Sequence, residues 1–305
     1  MAPWFCSNLH SLNSRFFRKF HHAILAFVDP EILVVFVLVF SKTFYAPYAS
    51  LLLTLASRLK IPPLRKINLN NQTFDLHTDV FGLAVEAFYK NQDTSPIQVH
   101  AKDFDTDLIP VDYLFRNYDE MPMIEKTAID LSEKKVLDIG CCTGSHLLDL
   151  NKKNHDVYGI DISEKSVQVC QQRGLKNVIK ENFFTLDNSS YKEFDTVLLL
   201  MNGIGIVGKV DRLDKFFKKL KEIIKPEARI YLDSTNLRYL FDEDEFDHYY
   251  GEMNYQISYK NYCSEKFDWL YLDFEKLKIS AEKNGFACRF LIQEHESYLA
   301  ELKLF

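Results

Sequence analysis

Apolar and polar positions along residues 135–235 follow two different periods, and the switch between them predicts the elements. KVLDIG (135–140), DVYGID (156–161), FDTVLLLM (194–201) and ARIYLDS (228–234) are apolar runs of strand length, and NVIKENFF (177–184) is a weaker one. Amphipathic stretches lie between them. SHLLDLNKKN opens at Ser145, a candidate cap, while SEKSVQVCQQRG opens at Ser163 and stops at Gly174. In KVDRLDKFFKKLKEIIK, Leu213, Phe216, Phe217, Leu220, Ile223 and Ile224 share one helical stripe, which Pro226 terminates. The succession predicts an α/β fold, a doubly wound, mostly parallel sheet with helices on both faces. Such sheets bind ligands at the carboxyl ends of their strands.

Beyond residue 248 the pattern changes. YYGEMNYQISYK and FDWLYLDF read as two strands joined by the polar turn NYCSEK. EKLKISAEKNG reads as a helix stopped by Gly285, and FACRFLI and SYLAELKLF as a terminal antiparallel pair.

The first 66 residues differ in composition from the rest. They hold eight Lys/Arg and two Asp/Glu, leaving 29 of the chain's 37 basic and 41 of its 43 acidic residues to 67–305. An acidic body repels a phosphate backbone, which argues against a nucleic-acid substrate. The run 32–57 is long enough to span a bilayer, but Lys42 interrupts it at a cost of roughly 3 kcal/mol. Asp29-Pro30-Glu31 breaks the apolar run before it. Residues 1–66 are therefore a membrane-associated anchor touching lipid only through 23–57, a helical extension packed on the body, or a segment absent from the working protein. The six cysteines lack metal-ligand spacing, so reduced thiols in a cytoplasmic protein are expected and no metal site.

The candidate chemistry is concentrated in VLDIGCCTGSHL (136–147), a strand entering a helix through a glycine turn. A dinucleotide loop needs Gly-x-Gly-x-x-Gly, and this chain offers Gly140, Cys142 and Ser145. An acidic-x-Gly-x-Gly-x-Gly pattern fits better, with Asp138, Gly140, Cys142 and Gly144 and one glycine replaced. An acid repels a pyrophosphate but attracts an ammonium group. S-adenosylmethionine has that ammonium and no phosphate. Asp161, with Ile162 beside it, ends the second strand 21 residues after Gly140, the spacing of an acid that accepts ribose hydroxyls. Asn182 and Phe183 end the third strand, where an amide can pair with the adenine edge and a ring can flank its face. Asn202, in a glycine-rich turn after the fourth strand, would face the reacting methyl group.

Residues from about 67 to 305 resemble class I S-adenosylmethionine-dependent methyltransferases of the Rossmann-like type. DYLFRNYDEMPMIEKTA, VLDIGCCTGSHL, FDTVLLLMNGIGIVG and YYGEMNYQISYK carry the resemblance. It implies a seven-stranded sheet with the last strand antiparallel. Cofactor roles pass to Asp138, Gly140, Gly144 and Asp161, and less firmly to Asn182. It also implies a cap segment, 67–130, over the site of a cofactor-binding domain, 131–305. Tyr113, Phe115 and Arg116 become candidates there, with Arg116 toward the methionyl carboxylate. His146 reads as a packed histidine, and Cys141 and Cys142 as small residues in a crowded turn.

Methyl transfer is an in-line displacement that needs positioning more than a base, so no catalytic residue is named. The chain lacks the Asn-Pro-Pro-Tyr turn of enzymes that methylate nucleic-acid amino groups and a Pro-Cys nucleophile. A small-molecule acceptor is the leading expectation. A protein side chain or a non-catalytic binding module are the alternatives. Tyr249, Tyr250, Tyr255, Tyr259, Trp269 and Tyr271 are either an acceptor pocket or ordinary strand packing.

Overall fold

The computed structural model describes residues 75–76, 78–102, 104–189, 191–241 and 248–305, so the readings of residues 1–66 lie outside the described residues. In chain order the elements are β1 (Asp75–Leu76), α1 (Val80–Asn91), β2 (Ile97–Ala101), β3 (Asp107–Ile109), α2 (Met123–Leu131), β4 (Lys135–Ile139), α3 (Ser145–Lys152), β5 (Asp156–Asp161), α4 (Glu164–Gln172) and β6 (Val178–Lys180). They continue with β7 (Phe194–Leu199), α5 (Leu213–Ile223), β8 (Ile224–Thr235), β9 (Glu252–Tyr259), β10 (Tyr262–Cys263), β11 (Phe267–Leu270), α6 (Phe274–Lys283), β12 (Phe286–Glu294) and β13 (Ser297–Leu304).

The larger sheet has seven strands in the order β12-β13-β8-β7-β4-β5-β6. β8, β7, β4, β5 and β6 are parallel, and β13 runs antiparallel to both β8 and β12. This is the expected doubly wound α/β sheet with a reversed last strand. The α5 stripe packs on one face: Leu213, Phe216, Phe217, Leu220 and Ile223 are all buried, each worth about 2 kcal/mol. The helix ends at Ile223 rather than at Pro226, because Ile224 already pairs with Phe194 as strand. Residues of α2, α3 and α4 fill the opposite face.

A second sheet, β1-β10-β9-β2-β3, carries β11 on β9. The hairpin expected after residue 248 is present as β9 and β11, but β9 also pairs with β2, over 150 residues earlier in the chain. Register places Val99, Ala101, Asp107, Ile109, Tyr255, Ile257, Phe267 and Trp269 on one face of this sheet. The opposite face carries Gln98, His100, Asn254, Gln256 and Ser258, with His100 Nε2 2.8 Å from Ser258 Oγ. The apolar face packs with α1, Leu114, Val169, Cys142 and Met201. It therefore covers the turns at the carboxyl ends of β4 and β7.

No helix among the described residues is long and apolar enough to cross a membrane.

Candidate active site

The glycine turn is held to β5 by hydrogen bonds from Gly140 N and Cys141 N to Ile160 O, at 2.9 and 3.2 Å. Gly140 is exposed with φ +77°, and a Cβ there would meet nothing within 4 Å, so the space above it is open. Gly144 differs. Its φ is +76°, which favours glycine, and a Cβ would lie 2.3 Å from Leu175 Cδ1, so a side chain there would also have to displace that methyl group. Cys142 takes φ +48°, a left-handed position that costs a residue with a side chain about 1 kcal/mol. Its N–H donates to Asp161 Oδ2 at 2.8 Å, and its carbonyl accepts from Cys170 Sγ at 3.1 Å. The turn thus closes with cysteine in the place of the middle glycine. Burial, and then the Asp161 charge, push the Cys142 thiol well above its ordinary range, so it stays neutral. Ser145 does not cap α3. Its hydroxyl donates instead to Leu114 O at 2.9 Å, joining Thr143 there and tying the turn to residues 112–115.

Asp161 accepts from Cys142 N and Ser163 N, both at 2.8 Å. Burial raises its pKa to about 6 against those two donors, and Asp79 and Asp138 push it further up. Each oxygen retains a lone pair for a ligand hydroxyl. Ile162 is 72% exposed beside it, an apolar surface at the carboxyl edge. Asn182 is exposed, and its Oδ1 caps the turn by accepting from Phe184 N at 2.9 Å. Phe183 points into the core against Phe216, 5.4 Å between ring centroids, and supports the edge from beneath.

Asp138 and Arg116 are both buried and belong to one polar chain. Asp138 Oδ2 lies 3.2 Å from His146 Nδ1, and His146 Nε2 lies 3.0 Å from Glu125 Oε2. That same oxygen accepts from Arg116 Nε at 3.1 Å and Nη2 at 2.5 Å. Arg116 Nη1 donates to Tyr113 O at 2.8 Å, with the guanidinium 4.3 Å from the Tyr113 ring centroid. Burial disfavours the His146 cation, but the two carboxylates outweigh it and raise its pKa to about 9. Burial pushes Glu125 up, and His146 and Arg116 bring it net below its usual range. Four buried groups of alternating sign therefore link β4, α3, α2 and residues 112–116.

At the ends of β7 and β8, Met201 and Asn202 are consecutive left-handed residues, with φ +60° and +58°. Asn202 is fully buried; its N–H donates to Asp233 Oδ1 at 2.8 Å and its Oδ1 accepts from Thr235 Oγ1 at 2.9 Å. Its Nδ2 is buried without a hydrogen-bond partner. Burial raises Asp233 to about 7, opposed by the Asn202 N–H and reinforced by Glu125.

The structure thus gathers Asp138, Gly140, Cys142, Gly144, Asp161 and Ile162 around one turn, and joins Arg116 to Asp138 through His146 and Glu125. Asn202 stands two strands from Asp161. The sequence reading missed Glu125, Asp233 and the partnership of His146. Asp233 had a signal, an acid at the carboxyl end of the apolar run ARIYLDS. Glu125 had none, being one charge among several on an amphipathic helix. Of the aromatic candidates, Tyr249 and Tyr250 hydroxyls donate to Asp273 Oδ2, both at 2.6 Å, and brace the start of α6.

The profile of a family described as Methyltransferase domain matches residues 130–272. A solved S-adenosylmethionine-dependent methyltransferase from Bacteroides fragilis, in complex with S-adenosyl-L-homocysteine, is 39% identical. The match covers 76% of this chain and 98% of that one, with a TM-score of 0.70. The sugar N-methyltransferase KedS8 from Streptoalloteichus sp ATCC 53650 is 13% identical with a TM-score of 0.50 over 67% of this chain and 96% of that one, a likeness of fold alone. Among curated proteins, a ubiquinone biosynthesis O-methyltransferase from Pelagibacter ubique is 26% identical over 131 residues, 42% of this chain and 53% of that protein. The chain spans about half the length of the curated relatives it matches.

Proposed function

This chain belongs to the S-adenosylmethionine-dependent methyltransferases, and from that membership we propose that it methylates a small-molecule acceptor at the carboxyl edge of its parallel sheet. The observation that carries the reading is the turn 140–144, closed onto Asp161 by the Cys142 N–H and open above Gly140. The residues present fit the cofactor: an open glycine backbone, a carboxylate with spare lone pairs, and an exposed apolar side chain beside it. S-adenosylmethionine supplies a methyl group already activated by positive sulfur.

In this reading Asp161 accepts the ribose hydroxyls, and Ile162 covers one face of the adenine while Asn182 meets its edge. The chain Asp138–His146–Glu125–Arg116 fixes the field at the methionyl end. Its four charges sum to zero when His146 is protonated, so the turn is held without excess negative charge. Residues within 67–130 cover the site, with Leu114 O latching the turn. Cys141, Cys142, Cys170, Cys263 and Cys288 are free thiols, which suits a reducing compartment such as the cytoplasm.

Calorimetry with S-adenosylmethionine and S-adenosylhomocysteine tests the reading. Micromolar binding of both is expected, and no binding at high micromolar concentration overturns it. Transfer of labelled methyl from the cofactor into a metabolite extract separates an enzyme from a module that only binds.

A further inference from the structure

His146, the second residue of α3, has both ring nitrogens engaged. Nδ1 stands 3.2 Å from Asp138 Oδ2, and Nε2 stands 3.0 Å from Glu125 Oε2. Both partners are acids, and an ionised carboxylate only accepts. A neutral imidazole carries one N–H, so either tautomer would turn a ring lone pair toward one of the two acids. The imidazolium alone donates to both. The ring and the two acids are all buried, so little water is at hand to replace either bond.

The bridge ends differently on its two sides. Glu125 is pinned in turn by Arg116 Nε and Nη2, at 3.1 and 2.5 Å, and Arg116 Nη1 is anchored on Tyr113 O at 2.8 Å. Asp138 spends Oδ2 on His146, and among the described residues its Oδ1 accepts no hydrogen bond. Asp138 lies two residues before Gly140, the glycine with open space above it. His146 is thus the one described donor that sets the Asp138 rotamer, and through Glu125 it ties that rotamer to α2 and residues 112–116. Asp161, on the neighbouring strand, is held by the Cys142 and Ser163 N–H groups and takes no bond from the imidazole.

Resting on the methyltransferase reading, we propose that His146 is a positioning residue for the methionyl end of the cofactor. It fixes Asp138 so that Oδ1 is presented to the methionyl ammonium, while the adenosine end is held independently of it. The bond to Glu125 keeps the ring charged and oriented, and the bond to Asp138 transmits that orientation to the ligand.

The test compares two ligands that differ only at that end. S-adenosylhomocysteine carries the α-amino acid, and 5′-methylthioadenosine has the same nucleoside and a thioether without it. His146→Asn keeps an amide donor at the δ position, toward Asp138. His146→Gln moves the donor to the ε position, toward Glu125. In calorimetry at neutral pH, His146→Gln should weaken S-adenosylhomocysteine binding about 10-fold and His146→Asn by less than about threefold, with 5′-methylthioadenosine affinity unchanged in both. A histidine that merely packs α3 against α2 would move both ligands alike. Equal losses for the two ligands, an unaltered S-adenosylhomocysteine affinity in His146→Gln, or no difference between the Gln and Asn variants overturns the proposal while leaving the cofactor reading intact. Failure of wild-type protein to bind S-adenosylhomocysteine overturns both.

Discussion

At the edge of the parallel sheet Asp138, His146, Glu125 and Arg116 alternate in sign through hydrogen bonds no longer than 3.2 Å. On the inner face of the antiparallel sheet Asp107 accepts from the Leu108 N–H, and no Lys, Arg or His among the described residues pairs with it. Both regions are poorly hydrated, so the difference concerns what neutralises each. The first is balanced by the protein and keeps its geometry before a ligand arrives. The second carries a cost of burial, which raises its pKa. Preorganisation suits a cofactor bound in every turnover.

The largest effect should come from breaking the balanced region. Glu125→Ala leaves Arg116 buried without its carboxylate and removes one of the two acids that hold His146 charged. Loss of one partner of a buried pair costs roughly 3–5 kcal/mol, measured as a drop in unfolding free energy by denaturant titration. Asp107→Asn should cost far less, because no described cation depends on it. Similar losses for the two would erase the distinction between the regions.

The pH dependence sharpens the same contrast. His146 is raised to about 9, so its stabilisation is complete below about pH 6.5, the unfolded value, and is lost as pH rises through 9. The loss is on the order of 3 kcal/mol at most. Asp161 and Asp233, raised to about 6 and about 7, lose stability in the same direction but at lower pH, between about 4 and 7. Unfolding free energy should therefore decline from pH 6.5 to 9 in the wild type, and His146→Gln should flatten that decline. An unchanged slope would show that His146 is not the titrating group.

The two regions also differ in how far the sequence revealed them. The β4–turn–α3 unit and Asp161 lie within about two dozen residues, and their glycines, acid and spacing are dictated locally, so they could be read directly. Even there, Phe183 has its ring in the core, because a strand end offers both faces and sequence spacing does not choose between them. The antiparallel sheet depends on β9 finding β2 across the chain. Asp107 then reads as one acid in the polar stretch 102–107, and only cross-strand register turns it onto an apolar face. Arg116 illustrates the same limit: its burial is created by Glu125 on another element.

A smaller effect separates the cofactor edge from the antiparallel sheet. Asp161→Ala should weaken S-adenosylmethionine binding roughly 10-fold through lost charged hydrogen bonds, while Asp107→Asn leaves that affinity unchanged. Because Asp161 must be ionised to accept two hydroxyls and is raised to about 6, wild-type affinity should improve as pH rises through 6, and Asp161→Asn should remove that improvement. Calorimetry over pH 5 to 8 reads both. An affinity insensitive to either substitution would remove Asp161 from the site.

The smallest effect is expected at Cys142. Glycine there would relieve the left-handed backbone at φ +48°, a gain of about 1 kcal/mol. It would also free the unfolded chain and empty the space the side chain fills against the apolar cluster that includes Leu114 and Val169, losses of similar size. The Cys142 N–H to Asp161 is backbone and survives the change. Cys142→Gly should therefore shift stability by less than about 1 kcal/mol and S-adenosylhomocysteine affinity by less than about threefold. A tenfold tightening would place the sulfur in the cofactor's path and make this turn a compromised version of a three-glycine loop. A null result would show that the closed backbone, more than the third glycine, makes this edge a cofactor site.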